Sequence, residues 1–368
     1  MERLQIFPHV SQIKYSTPVR KLAYGKIMKL TRKQLTNIFF VIGVVAVVVM
    51  LFTFEVSFVE LWHYLCDAGW WLAPIVGVWI IIYGMNALAW GWIVNSIKEA
   101  HQYIGWGRIL KLTISGYALN YSTPVAGLGG EPYRIMELSP FIGNQRATSS
   151  VILYVMTHIL AHFLFWLSGL AIYVWMVTSG IVAFHPATTM LTAVTLLLVG
   201  FVVYVFAIGY RKGLVMRLMR GLCRLPGLRR WGRKILKRHE EAIENVDAQI
   251  VMLHQQDKHT FYCSLVVELL GRYVQSLEIM FMLILFQSDS AGLCVMFLQS
   301  VFIITVATIM SNVLGFLPMQ LGGQEGGFVL AIAMLGMQPS LGIFICIICR
   351  VREIVWIVAG LLLMKIKQ

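Results

Sequence analysis

Eight apolar runs recur along the chain, at roughly 36–57, 70–95, 109–128, 147–177, 188–209, 260–286, 291–315 and 340–364. A helix needs about 20 apolar residues to cross the hydrocarbon core of a bilayer. The runs therefore predict an all-α, polytopic membrane protein with about seven or eight spans joined by short loops. Composition agrees: 58% of residues are hydrophobic and 13% charged, where a soluble domain carries about 25% charged residues. Mean hydropathy is +0.76. Residues 1–35 are basic and too polar for the apolar region of a cleavable signal peptide.

The formal net charge of +13 is concentrated in two places: residues 1–35 carry eight Lys/Arg and residues 211–258 carry twelve, out of thirty in the chain. Basic clusters beside spans mark the cytoplasmic side and attract anionic headgroups. Neither cluster resembles a nucleic-acid reading motif. No Lys or Arg occurs from 34 to 97, so the loop carrying Glu55, Glu60 and Asp67 reads as outside. The predicted organisation is a basic cytoplasmic segment (1–35), a first membrane half (36–210), a basic cytoplasmic amphipathic segment (211–258) and a second membrane half (259–368). The N-terminus is cytoplasmic and the location is the cell (inner) membrane. The six cysteines are scattered, and Cys346-x-x-Cys349 falls inside an apolar helix, so neither a disulfide framework nor a metal site is implied.

Two of the runs are interrupted. Gly127-Leu128-Gly129-Gly130-Glu131-Pro132-Tyr133-Arg134 ends the third, and Leu317-Pro318 through Gly322-Gly323-Gln324-Glu325-Gly326-Gly327 follows the seventh. Broken backbone is tolerated at membrane depth only where protein buries it or a watery cavity receives it. Such a pair, one in each half, points to a transporter's binding site. Charge bookkeeping makes 109–134 re-entrant from the cytoplasmic side, as two short helices broken near Pro124. For the broken element 316–339 two courses stay open. Lys365 and Lys367 favour a cytoplasmic C-terminus, with 316–339 crossing; the alternative is a second re-entrant loop with the C-terminus outside.

Charges inside spans cost roughly 2.5–3.5 kcal/mol each on insertion scales and usually mark function. Glu131 and Arg134, three apart, can share a helix face: Arg134 either binds a lipid phosphate or staples the loop tip. Glu325 either meets a headgroup or caps the helix that starts beside it. Gly129, Gly130, Gly322 and Gly323 let backbone approach a ligand or another helix. Glu268 and Arg272, four apart, are expected to pair directly, with Glu278 further along the same helix and Glu268 or Glu325 as a proton carrier. Arg350, near Arg352 and Glu353, is expected to find Glu131, Glu325 or Glu278. His158 and His162 are four apart, open to metal, proton relay or packing, but without the H-E-x-x-H pattern. Asn120, Gln299, Asn312 and Gln320 read as hydrogen-bond partners of the broken backbone.

The stretch Gly129-Gly130-Glu131-Pro132-Tyr133-Arg134 resembles the G-G-E-P-x-R motif of the flippase-like domain family, the transmembrane region of lysyl-phosphatidylglycerol synthases and their stand-alone relatives. Leu317-Pro318 through Gly326, with Phe328-Val329-Leu330, resembles that family's later proline-glycine stretch, and Arg350 stands where the family often has an arginine. The resemblance covers about 36–364. It implies an α-helical fold with two re-entrant elements and translocation of anionic, aminoacylated or polyprenyl-type lipids. Thr157-His158 and Ala161-His162 replace an acidic–basic pair frequent in the family, and Gln324 replaces an arginine. The synthases carry an aminoacyltransferase domain after the membrane part; the chain ends at Gln368, so lysyl transfer is not expected.

The resulting expectation is a lipid transporter whose partners are membrane lipids, with substrate-binding residues Glu131, Arg134, Glu325, Arg350, Gly129, Gly130, Gly322 and Gly323. Glu268, Arg272, Glu278 and His158 form a candidate charge relay. No catalytic residue, cofactor or nucleotide site is expected, and a homo-oligomer is left open. The alternatives are a membrane enzyme acting on a lipid-linked substrate and an accessory scaffold of lipid metabolism.

Overall fold

The computed structural model describes residues 32–53, 66, 68–96, 103–122, 129–210, 258–286, 292–313 and 322–366. The expectations for most of the basic segment 1–35, for 211–257, for the break near Pro124 and for Leu317–Gln320 lie outside these residues. Among the described residues there are ten α-helices and no strand: α1 (Arg32–Thr53), α2 (Leu72–Asn95), α3 (Trp106–Ser122), α4 (Glu131–Ile142), α5 (Asn144–Thr178), α6 (Pro186–Tyr210), α7 (Lys258–Phe286), α8 (Leu293–Val313), α9 (Gly323–Met334) and α10 (Pro339–Lys365). Among the described residues four stretches are long and apolar enough to cross a membrane: Gly69–Asn95, Arg146–Thr178, Pro186–Tyr204 and Leu293–Val313. At 29 and 27 residues, α7 and α10 are also long enough, but Glu268, Arg272 and Glu278 on one and Arg350, Arg352 and Glu353 on the other dilute their apolar character.

Helix boundaries follow the chain's punctuation. Pro132 sits in the first turn of α4, where its missing N–H is harmless. Gly143, at φ 82°, separates α4 from α5, and Gly336, at φ 76°, separates α9 from α10, which opens on Pro339.

Two units of four helices share one plan: α2–α5 and α7–α10 each run long helix, helix, a 12-residue helix opening on glycine and glutamate, then long helix. The units run in opposite directions. Along the packed pair α2 and α7, Asn86 faces Glu268 while Trp79, earlier in α2, reaches Glu278, later in α7. The crossed contacts repeat as well. α3 packs antiparallel on α10, with Ser115 Oγ donating to the Gly360 carbonyl at 3.0 Å. α8 packs antiparallel on α5, with Trp166 Nε1 donating to Thr308 Oγ1 at 2.9 Å. This is an inverted repeat, the layout that places a site between its halves at mid-membrane.

Each half holds a hairpin that goes in and comes back. In the first, Gly130 at the head of α4 lies against Gly116 of α3, where a Cβ would stand 2.0 Å from the Gly116 carbonyl oxygen. At the mouth, the Arg108 guanidinium lies 3.9 Å over the Phe141 ring, so α3 starts where α4 ends. In the second, Gly327 of α9 lies against Ala307 of α8, where a Cβ would stand 2.6 Å from Cα. Small residues at helix contacts serve this close approach. Twelve residues of α9 reach about 18 Å, short of the roughly 30 Å core, so α9 alone does not carry the chain across.

The course of the C-terminal end follows. Lys365 Nζ donates to Asn37 Oδ1 at 2.7 Å, and Lys111 Nζ donates to the Ile366 carbonyl. α10 therefore ends on the face where α1 and α3 begin. Among the described residues the end of α10 thus shares a face with the start of α1, and the 12-residue α9 packs back on α8.

Candidate functional site

Between the two units lies a cavity of about 340 Å³, lined from α2, α3, α4, α5, α7, α8, α9 and α10. Its wall carries three charged layers within an apolar bundle.

The first layer is the head of α4. The Arg134 side chain is 1% exposed and spends Nη1 on both Glu131 oxygens, at 3.0 and 3.2 Å, and Nη2 on the Thr113 carbonyl at 3.3 Å. The rings of Trp90, Tyr117 and Tyr154 surround it at 5.4, 4.9 and 5.4 Å. Gly116 makes the space, since a Cβ there would lie 2.2 Å from Arg134 Nε, an atom buried without a partner. Asn120 ties the tip, accepting from Gly130 N at 2.6 Å and donating to Glu131 Oε1 at 3.2 Å. This geometry matches the staple that sequence offered as one reading of the pair, with one face of Arg134 toward the cavity.

The second layer corrects an expectation: Glu268 and Arg272 do not pair directly. The imidazole of His158, from α5, stands between them. Arg272 Nη2 lies 2.6 Å from His158 Nε2, and His158 Nδ1 lies 2.7 Å from Glu268 Oε2. Arginine only donates, so Nε2 accepts, Nδ1 carries the proton, and that proton is given to Glu268. Both ring nitrogens are thus engaged, and His158 keeps no lone pair for a metal. Spacing placed Glu268 and Arg272 one turn apart on α7, but a third helix fills the gap. With its amide nitrogen toward Glu268, Asn86 also donates to Oε1 at 3.1 Å and Oε2 at 3.3 Å. Glu268 thereby gains three donated hydrogen bonds from two helices.

The third layer is a chain of alternating charge across α9, α10, α7 and α2. Glu325 Oε2 accepts from Gly322 N at 2.8 Å, capping α9, while Oε1 accepts from Arg350 Nη2 at 2.8 Å. Arg350 Nη1 donates to Glu353 Oε2 at 3.0 Å, and Glu353 Oε1 accepts from Gln324 at 3.2 Å. Arg352 forks onto Glu278 at 2.8 and 3.3 Å and lies 3.9 Å over the Trp79 ring, whose Nε1 donates to Glu278 at 2.8 Å. Glu325 thus caps its helix and also serves as a salt-bridge partner, and its side chain remains 39% exposed. Arg350 finds Glu325, one of its three expected partners.

Of the site residues expected from sequence, Glu131, Arg134, His158, Arg272 and Glu278 line the cavity wall, while Glu268, Glu325 and Arg350 support it from behind. Gly129, Gly130, Gly322 and Gly323 sit at the heads of α4 and α9. Sequence reasoning did not assign Arg352, Glu353, Gln275, Asn86 or the aromatic box to the site. Arg352 and Glu353 were visible as charges in a span, whereas nothing in an apolar run distinguishes Tyr117 or Tyr154 from lipid-facing aromatics. Five carboxylates (Glu131, Glu268, Glu278, Glu325, Glu353) meet four guanidinia (Arg134, Arg272, Arg350, Arg352). Fully ionised, the site holds one excess negative charge.

A family model described as the lysylphosphatidylglycerol synthase TM region matches residues 38–360. No curated protein and no solved structure matches the chain.

Proposed function

Because the chain belongs to the lysylphosphatidylglycerol synthase TM region family, we propose that it moves a phospholipid between leaflets, passing the headgroup through the cavity between the two inverted units. The observation that carries this reading is the cavity itself: about 340 Å³ of space lined by Glu131, His158, Arg272, Glu278 and Glu353 inside an apolar helical body. Ionisable groups at membrane depth are expensive and mark substrate or ion paths. A pair of hairpins opening to opposite faces supports alternating access, because each covers the site from one side.

The cavity charge narrows the cargo. One carboxylate in excess suits a headgroup that brings an amine as well as a phosphate, so an aminoacylated or other amine-bearing phospholipid fits better than a purely anionic one. In this reading the protein works in the cell membrane, with the start of α1, beside the basic segment 1–35, on the cytoplasmic face and the end of α10 on the same side.

Reconstitution tests this. Liposomes holding fluorescent, amine-bearing phospholipid are treated with dithionite, which bleaches only the outer leaflet. Wild type is expected to expose inner-leaflet lipid. Asn312→Trp, whose ring fills the cavity edge from an exposed position, is expected to slow exposure without unfolding the protein. Equal bleaching with wild-type and empty liposomes would sink the proposal.

A further inference from the structure

Four arginines stand in or against the cavity, and three of them are matched to carboxylates: Arg134 to Glu131, Arg350 to Glu325 and Glu353, Arg352 to Glu278. Arg272 differs. Nη1 donates to the neutral Gln275 Oε1 at 3.1 Å and Nη2 to His158 Nε2 at 2.6 Å. Among the described residues no carboxylate comes within salt-bridge distance of it. Glu268, the acid nearest along the helix, is held one imidazole away, its Oε2 taken by His158 Nδ1. The guanidinium faces the cavity, and several of its five N–H donors remain unused.

Its position makes this arrangement informative. Fourteen residues separate Lys258, the start of α7, from Arg272, about 21 Å of helix, which puts the group deep in the bundle. A half-buried cation there, with its nearest carboxylate held off by a neutral imidazole, is only partly compensated, and an arriving anion would complete it. His158 prevents collapse onto Glu268: it accepts from Arg272, donates to Glu268, and so holds the two charges apart beside the cavity. A guanidinium that lines the cavity with N–H donors unused suits the oxygens of a phosphodiester, which accept from arginine. The cavity volume falls within the roughly 300–1,000 Å³ of small-molecule sites, enough for a headgroup.

We propose that Arg272, aimed by His158 and Gln275, is the phosphate anchor of this cavity, with Arg134 and Arg350 as structural cations. For a lipid as the source of the phosphate this rests on the transport reading; the anion site itself does not. Glu278 and Glu353, at the Arg352 end of the cavity, then face whatever amine the headgroup carries.

The test is binding, read separately from transport. Purified protein in detergent is titrated with phosphatidylglycerol, with diacylglycerol and with inorganic phosphate, and retained ligand is counted by native mass spectrometry. Wild type is expected to hold phosphatidylglycerol and not diacylglycerol. Arg272→Gln is expected to weaken this by about 10- to 100-fold, and Arg272→Lys, which keeps charge but loses the fork, by less. Competition by inorganic phosphate would assign the site to phosphate from any source; its failure to compete would assign it to lipid. Arg272→Gln that folds and holds phosphatidylglycerol like wild type overturns the anchor. Should Arg272→Gln not fold, Arg272→Lys decides, and wild-type affinity there overturns it. A wild type that binds through Arg272 yet moves no lipid leaves the anchor standing and removes the transport reading.

Discussion

Replacing Gly130 by alanine puts the first hairpin to a quantitative test. The added Cβ would lie 2.0 Å from the Gly116 carbonyl oxygen, 2.7 Å from its carbon and 2.8 Å from its Cα, all backbone atoms unable to swing aside. A carbon–oxygen contact settles near 3.3–3.6 Å, so the head of α4 must retreat by more than about 1 Å. That retreat stretches the 2.6 Å bond from Gly130 N to Asn120 and loosens Asn120 from Glu131. Overpacking costs about 1–3 kcal/mol and the lost hydrogen bond about 1 kcal/mol, for about 2–4 kcal/mol together. The control is Gly326→Ala in α9, where a Cβ meets nothing within 4 Å; a helical Gly→Ala there is neutral or stabilising by up to about 1 kcal/mol. Unfolding in detergent, followed by tryptophan fluorescence, ranks the two. Equal midpoints for both variants would refute the packing of α4 on α3.

The second hairpin predicts a parallel loss: Gly327→Ala places a Cβ 2.6 Å from Ala307 Cα and is expected to cost about 1–3 kcal/mol in the same unfolding series. Glu278→Gln leaves the buried Arg352 with only the longer 3.8 Å contact to Glu353 and is expected to cost about 3 kcal/mol. The double variant Glu278→Gln/Arg352→Met is expected to recover most of this, and a double mutant no more stable than the single would count against the pair. His158→Phe removes the acceptor of Arg272 and the donor to Glu268. It is expected to lower stability by about 2–3 kcal/mol and to weaken phosphatidylglycerol binding with it; unchanged binding would show that Arg272 needs no such aim.

The apolar runs reveal the helices because lipid leaves a span no other way to satisfy its backbone, and the eight runs correspond to α1, α2, α3, α5, α6, α7, α8 and α10. The count of lysines and arginines leads to the expectation of a first re-entrant element, and Lys365 meets Asn37 at the start of α1. In the residues the inverted repeat shows only as the two Gly–Glu breaks, because α2 and α7 hold different side chains while performing the same packing. Side-chain partners were legible where both lie on one helix, as with Glu131 and Arg134, and between helices only as a choice of three, as with Arg350 and Glu325. Glu268 and Arg272 satisfied the same spacing rule and yet are separated, because α5 delivers His158 between them. Arg352 and Glu278 lie 74 positions apart on different helices, and only the packing of α10 beside α7 brings them together. Residues 316–339 alone do not choose between crossing and turning back; the structure adds that α9 is too short to cross by itself and that its head meets the middle of α10.

The central claim, that a lipid headgroup occupies the space between the inverted units, is tested most directly by where a headgroup reacts. An amine-bearing phospholipid with a photoactivatable diazirine in its headgroup is reconstituted with wild-type protein, irradiated, and the adducts mapped by peptide mass spectrometry. The account predicts adducts on cavity residues such as His158, Gln275 and Gln324, diminished by Arg272→Gln. Adducts confined to outward-facing positions such as Leu197 and Phe201 of α6, both largely exposed, would contradict it.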